Sequence, residues 1–184
     1  MFSIISISSG WIMGEIGDGK QQHFFDYSYI TNFLNDFMET LLCAHGEWEP
    51  YTYKDKFRTE LEPAVEDWYI SREQDRLVIN IKNYESKYSD KVKKEVQLTF
   101  DFYEFLVEFL QEMDRVLRFY GLVGYMENWN FEFPVALYLM LKNICKGQNR
   151  LDISEIAVDQ HLGMDAKVSD LEKELQLLRE TWQD

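Results

Sequence analysis

Residues Gly14 to Gln21 read Gly-Glu-Ile-Gly-Asp-Gly-Lys-Gln, the GxxxxGK spacing with which a glycine loop cradles phosphates. Such a loop needs Ser or Thr after the lysine to ligate Mg²⁺, and Gln21 stands there instead. Glu15 and Asp18 would repel a phosphate, and an extended run rather than a helix N-terminus follows Lys20. The reading is a glycine hairpin turn. The histidines His23, His45 and His161 offer no stronger chemistry. Cys43 and His45 are close enough in sequence to share a metal, but a zinc site takes three or four ligands. His45 suits a helix C-terminus, where the partial negative charge favours a cation-capable ring. Asp159 could orient His161, yet no GxSxG elbow supplies a nucleophile. Adjacent acids such as Glu60 and Glu62, Glu66 and Asp67, or Glu104 and Glu108 are expected in a chain with 33 carboxylates, and read as solvated faces. The sequence therefore assigns no catalytic residue, no metal ligand and no cofactor, and a hydrolase assembled from distant parts is only the third reading.

The aromatic residues carry more. Trp48, Tyr51, Tyr53, Trp68 and Tyr69 lie in a strand-like stretch together with Glu60 and Glu62. Large rings beside carboxylates can hold Lys and Arg through cation–π and ion-pair contacts together. These residues form the candidate partner-binding set. The competing structural reading is that the rings shield the outer face of a sheet.

Charge selects the class of partner. With 33 acidic residues against 19 basic, the net charge is -14. That balance opposes nucleic acid, whose phosphates require a basic footprint, and it opposes an anionic membrane surface. No run of about 18 apolar residues exists to span a bilayer. No basic residue precedes Lys20, as a secretory leader would require, and the two cysteines form no CxxC. A cytoplasmic protein is expected. The acidity is uneven: residues 115–151 hold two acids and five bases.

The elements that must position these groups follow from apolar spacing. Phe2–Ile16 and Gln21–Tyr27 read as a hairpin turning at Gly17-Asp18-Gly19. A helix is expected from Tyr27 through Leu42, capped by Asp26 or Ser28 and ended at Gly46. Trp48–Tyr53, Lys56–Leu61, Asp67–Ser71, Arg76–Asn83 and Glu95–Phe100 read as short strands, with Leu77, Ile79 and Ile81 on one apolar face. Asp101 with Glu104 makes an Asp form of the capping box, opening a helix whose stripe runs Phe102, Phe105, Leu106, Phe109, Leu110, Met113, Leu117 and Tyr120 and stops at Gly121. A third helix starts at Pro134. A fourth, over residues 166–182, presents Val168, Leu171, Leu175, Leu178 and Trp182 as its seam. The expected class is α+β: an antiparallel sheet of four to six strands with three or four helices packed mainly on one face. Residues 1–150 form one domain, and 151–184 an acidic segment whose helix docks on it.

The stretches Phe25–Leu42, Arg76–Ile81 and Phe100–Tyr125 resemble, in pattern, small acidic bacterial proteins of uncharacterised function, some of which look like immunity partners of polymorphic toxins. The resemblance covers about residues 10–145 and leaves out the C-terminal helix. It carries over no site residue. It implies an inhibitor that occludes a basic toxin active site. The expectation is thus a non-enzymatic binding protein for a basic protein partner such as a toxin domain, with self-association as a homodimer through the C-terminal stripe as the alternative.

Overall fold

The computed structural model describes residues 1–46, 54–147, 153–159 and 164–180. It is an α+β protein. The chain opens with a three-stranded antiparallel meander, β1 (Phe2–Ser8), β2 (Trp11–Gly17) and β3 (Gln22–Ser28). The expected hairpin has one strand more, because Phe2–Ile16 is folded back on itself at Ser9-Gly10. Both turn residues have positive φ, 53° and 77°, as the two-residue hairpin turn that matches strand twist requires. Gly14 on β2 is needed for space: a Cβ there would lie 2.4 Å from the Phe25 ring and 2.5 Å from the Ser3 carbonyl oxygen.

Helix α1 (Phe33–His45) follows, with Asn32 at its N-cap and Gly46 in the left-handed conformation at its C-cap. The expected start at Tyr27 is corrected, since Tyr27 belongs to β3 and pairs with Ile12. The second sheet is an antiparallel meander of β4 (Lys56–Leu61), β5 (Ala64–Glu73), β6 (Arg76–Tyr84) and β7 (Val92–Asp101). Leu77, Ile79 and Ile81 face inward and are buried. The strand expected at 48–53 lies outside the described residues. The strands thus divide into separate sheets instead of one, since β1 to β3 satisfy each other before the α1 crossover.

Helix α2 (Phe102–Trp129) packs against both sheets. Asp101 Oδ1 accepts from the N–H groups of Tyr103 and Glu104, each at 3.0 Å. The helix does stop at Gly121, as the spacing predicts, but the range continues beyond it. Gly121 takes φ 65° and ψ 175°, breaks the helix, and a second arm resumes to bury Tyr125 and Trp129 before Asn130 closes it. Helix α3 (Val135–Cys145) begins after Pro134. An aromatic core joins the parts: the Phe109 ring lies 5.0 Å from Phe2 of the first sheet and 5.3 Å from Phe37 of α1, while Phe33 lies 5.4 Å from Trp68 of the second sheet. Side chains of α2 also hydrogen-bond the backbone of β1. Glu112 Oε1 accepts from Ile4 N at 2.6 Å, Arg115 donates to Ile4 O at 2.5 Å, and Tyr120 Oη accepts from Ile7 N at 2.9 Å.

Beyond α3, β8 (Ile153–Asp159) and β9 (Met164–Ser169) form an antiparallel hairpin, and α4 (Leu171–Arg179) follows. The expected seam is corrected. Val168 is in a strand, Leu171 is 62% exposed, and the buried contact is Leu177, with Leu178 partly buried beside it. Trp182 lies outside the described residues. Asp170 caps α4, receiving the N–H groups of Glu172 and Lys173, which explains the later start. The α4 C-terminus meets α3, where the buried Lys142 donates to Glu180 O at 2.5 Å and Lys146 pairs with the Glu180 carboxylate.

Candidate functional site

Where the two sheets meet the start of α2, a cleft of about 580 Å³ opens. Its walls are the β2–β3 turn, the end of β7, and the first turns of α2. The turn is built by Asp18. Its Oδ1 accepts from the N–H groups of Lys20 and Gln21, both at 2.9 Å, and its Oδ2 from Thr99 N of β7 at 3.2 Å. Gln21 Nε2 also donates to Gln97 O at 3.0 Å, so the turn is fastened to β7. Burial pushes the Asp18 carboxyl up, but the N–H groups of Gln21, Lys20 and Thr99 outweigh it and hold it below the usual range. The GxxxxGK stretch is therefore a hairpin turn whose N–H groups serve its own aspartate, which leaves them unfit to cradle a phosphate.

On the opposite wall, Asp101, Glu104 and Glu108 follow one another along α2. Asp101 is engaged as the helix cap. Glu108 lies 3.2 Å from the Met1 amine, which also donates to Gly17 O at 2.7 Å. Glu104 is exposed, and its carboxylate makes no hydrogen bond or ion pair among the described residues. Four carboxylates thus face one lysine, Lys20, and the Met1 amine. Chemically the cleft is an acceptor for guanidinium or ammonium groups.

The candidate set read from the sequence does not come together there. Trp48, Tyr51 and Tyr53 lie outside the described residues. Glu62 is exposed at the β4–β5 turn and Glu60 is half-buried on β4. Trp68 is corrected as a surface group: it is fully buried, stacked on Phe57 at 5.8 Å, because successive strand residues point to opposite faces and Tyr69 takes the outer one. Tyr69 is already covered by this chain's own cations, with Lys56 Nζ 5.6 Å and Lys82 Nζ 5.5 Å from its ring. Beside it Arg58 makes two bonds to Asp67, at 2.5 and 2.8 Å. That outer face is a charge-paired lattice, in keeping with the shielding reading.

The chain matches no family model, no curated protein and no solved structure.

Two buried polar clusters escaped the sequence reading. Between the sheets, Glu66 Oε2 lies 3.1 Å from His23 Nε2 and accepts from Tyr27 Oη at 2.5 Å, while Asn83 donates to Glu66 Oε1 at 3.1 Å. Trp68 Nε1 donates to Tyr27 Oη at 3.0 Å. Burial pushes the Glu66 carboxyl up, yet the bonds from His23, Tyr27 and Asn83 and the charge of His23 bring it below its ordinary value. Alternation with the inward Trp68 and Ile70 is the signal that could have placed Glu66 inside. In the second cluster, Lys142 Nζ lies 3.0 Å from Tyr138 Oη and 3.4 Å from Asp114, and the Tyr138 hydroxyl bonds Asp114. Burial lowers the Lys142 pKa against the opposing pull of Asp114. Neither cluster lines the cleft. Burial pushes the Cys145 thiol up to about 12 and also raises that of Cys43. His45 stacks on Phe102 at 5.7 Å, a packing role at the end of α1.

Proposed function

We propose that this chain is a binding protein rather than an enzyme, and that it neutralises a basic protein partner by receiving Lys or Arg side chains in the acidic cleft. The observation that carries the reading is the row Asp101, Glu104 and Glu108 facing Asp18 across the cleft, with Glu104 left unengaged among the described residues. Net charge of -14 adds steering toward a positive partner at long range. The resemblance to toxin-immunity proteins gives the reading its biological form: a basic catalytic surface is occluded, and no reaction is carried out. Two free cysteines suit a reducing compartment, so the cytoplasm is the proposed location.

The test uses a synthetic arginine-rich peptide as probe, titrated calorimetrically at increasing NaCl. Affinity should fall steadily as salt shortens the screening length below roughly 8 Å. Replacing Glu104 and Glu108 by Gln together should weaken binding roughly three- to tenfold. Glu60→Gln with Glu62→Gln should leave it unchanged. A dissociation constant indifferent to salt and to the Glu104/Glu108 pair would overturn the cleft as the capture site.

A further inference from the structure

The outer face of the first sheet is apolar in a way the fold does not use. Strand alternation turns Ile12 and Ile16 of β2 and Phe25 and Tyr27 of β3 into the core. The same alternation turns Trp11, Met13 and Phe24 to solvent, 48%, 41% and 64% exposed. Ile5, where the register of β1 shifts, joins them at 60%. Neighbouring apolar side chains exposed on one face mark an interaction surface. Two carboxylates share it. Met13 pairs across the ladder with Asp26, and Glu15 with Phe24, so each acid stands opposite an apolar side chain. Glu15 is held in place by Gln22, whose Nε2 donates to it at 2.7 Å. Asp26 is exposed and makes no hydrogen bond or ion pair among the described residues. The strands β1, β2 and β3 carry no lysine or arginine.

That pattern of charge selects the occupant. A second copy laid on the same face would bring carboxylates against carboxylates, with no cation in the strands of either copy to answer them. A net charge of -14 on each chain adds to the repulsion. An anionic lipid surface meets the same opposition. A segment with lysines or arginines spaced among apolar residues meets neither. Its aliphatic stems can lie along Met13 and the ring of Phe24 while its charged heads reach Asp26 and Glu15. Width argues for a helix as the form of that segment. Strands about 4.8 Å apart give a three-stranded floor about 10 Å across, and one α-helix, about 10 Å in diameter, covers it. Apolar residues at three- and four-residue spacing would then meet Trp11, Met13 and Phe24 along one side of the helix.

We infer that the outer face of the first sheet docks a basic amphipathic helix of a protein partner, whatever the acidic cleft receives. The probe is a synthetic amphipathic helix of leucines and lysines, titrated by fluorescence anisotropy beside a leucine–glutamate helix of the same pattern. The leucine–lysine helix should bind with a micromolar dissociation constant. Met13→Ser with Phe24→Ser should weaken it roughly tenfold or more at an unchanged melting temperature, since both side chains are already in solvent. Asp26→Asn should weaken it about two- to fivefold. Glu104→Gln with Glu108→Gln, which disables the cleft, should leave this affinity unchanged, so failure of the cleft and failure of the face are read separately. Equal binding of the leucine–glutamate helix, or binding indifferent to the Met13/Phe24 pair, overturns the proposal. Loss with the Glu104/Glu108 pair but not with the Met13/Phe24 pair would place the helix in the cleft and overturn the face as its site. Sedimentation velocity of the chain alone and flotation with phosphatidylcholine vesicles test the other occupants. A dimer or a vesicle complex that Met13→Ser with Phe24→Ser dissolves would give the face to a second copy or to lipid, and would equally overturn it.

Discussion

Glu66 shows how a single carboxylate can be read wrongly from its neighbours and rightly from its register. Beside Asp67 it looks like one of many surface acids, yet in an extended strand it shares its face with Trp68 and Ile70, both buried. The same alternation separates Trp68 from Tyr69, so those two could never have served one partner surface. What no local pattern could supply is the company each keeps: His23 and Tyr27 reach Glu66 from β3, some 40 residues away. Because the folded carboxyl lies below its ordinary 4.5, its contribution to stability is present above that value and is lost as pH falls through the folded pKa. Glu66→Gln should therefore cost about 1–3 kcal/mol at pH 7, leaving His23 and Tyr27 without their charged acceptor. Urea unfolding of both proteins at several pH values checks this. The gap between them should narrow steadily below about pH 4.5. A gap that stays constant down to pH 3 would mean the carboxylate is not charged in the native protein.

At the scale of elements, apolar spacing located every strand of the second sheet and the starts of α2 and α3, since each carries its own period and cap. Errors cluster where an end is set by something distant. α1 starts late because Tyr27 is held by β2 and Glu66, whereas α2 does break at Gly121, and what the spacing missed is the second arm that enters the core with Tyr125 and Trp129. α4 is a similar case. A leucine-rich stripe offered several faces for docking, and the anchor is Leu177, fixed by where α3 presents Lys142 and Lys146 to Glu180. Leu177→Ala should accordingly cost about 2 kcal/mol, near the lower end for buried leucine because the site is peripheral. Leu171→Ala, at a largely exposed position, should stay within about 0.5 kcal/mol. Chemical denaturation of both variants decides it. If Leu171→Ala proves the costlier of the two, α4 is docked by a different face.

The whole molecule is held by one core that passes from the first sheet through α1 and α2 to the second. Phe109 sits at this crossing, within ring contact of Phe2, Phe37 and Phe105. Phe109→Ala should cost about 3–5 kcal/mol and should do so in a single transition, since both sheets lose the same support. Two resolved transitions by fluorescence and circular dichroism would show that the sheets melt separately. The acidic cleft is equally a property of the whole, assembled from a turn, a strand end and a helix start, and so invisible in any one stretch of sequence. A further consequence follows from the way α2 holds β1. An outermost strand normally offers a free row of amides and carbonyls on which another chain can lay a strand of its own, and fibrils grow from such rows. Glu112, Arg115 and Tyr120 occupy that row at Ile4 and Ile7, while Asp18 and Gln21 occupy the one on β7 at Thr99 and Gln97. A strand laid on either border would first have to displace these side chains, which sets a cost on templated growth beside the exposed apolar face bearing Trp11, Met13 and Phe24.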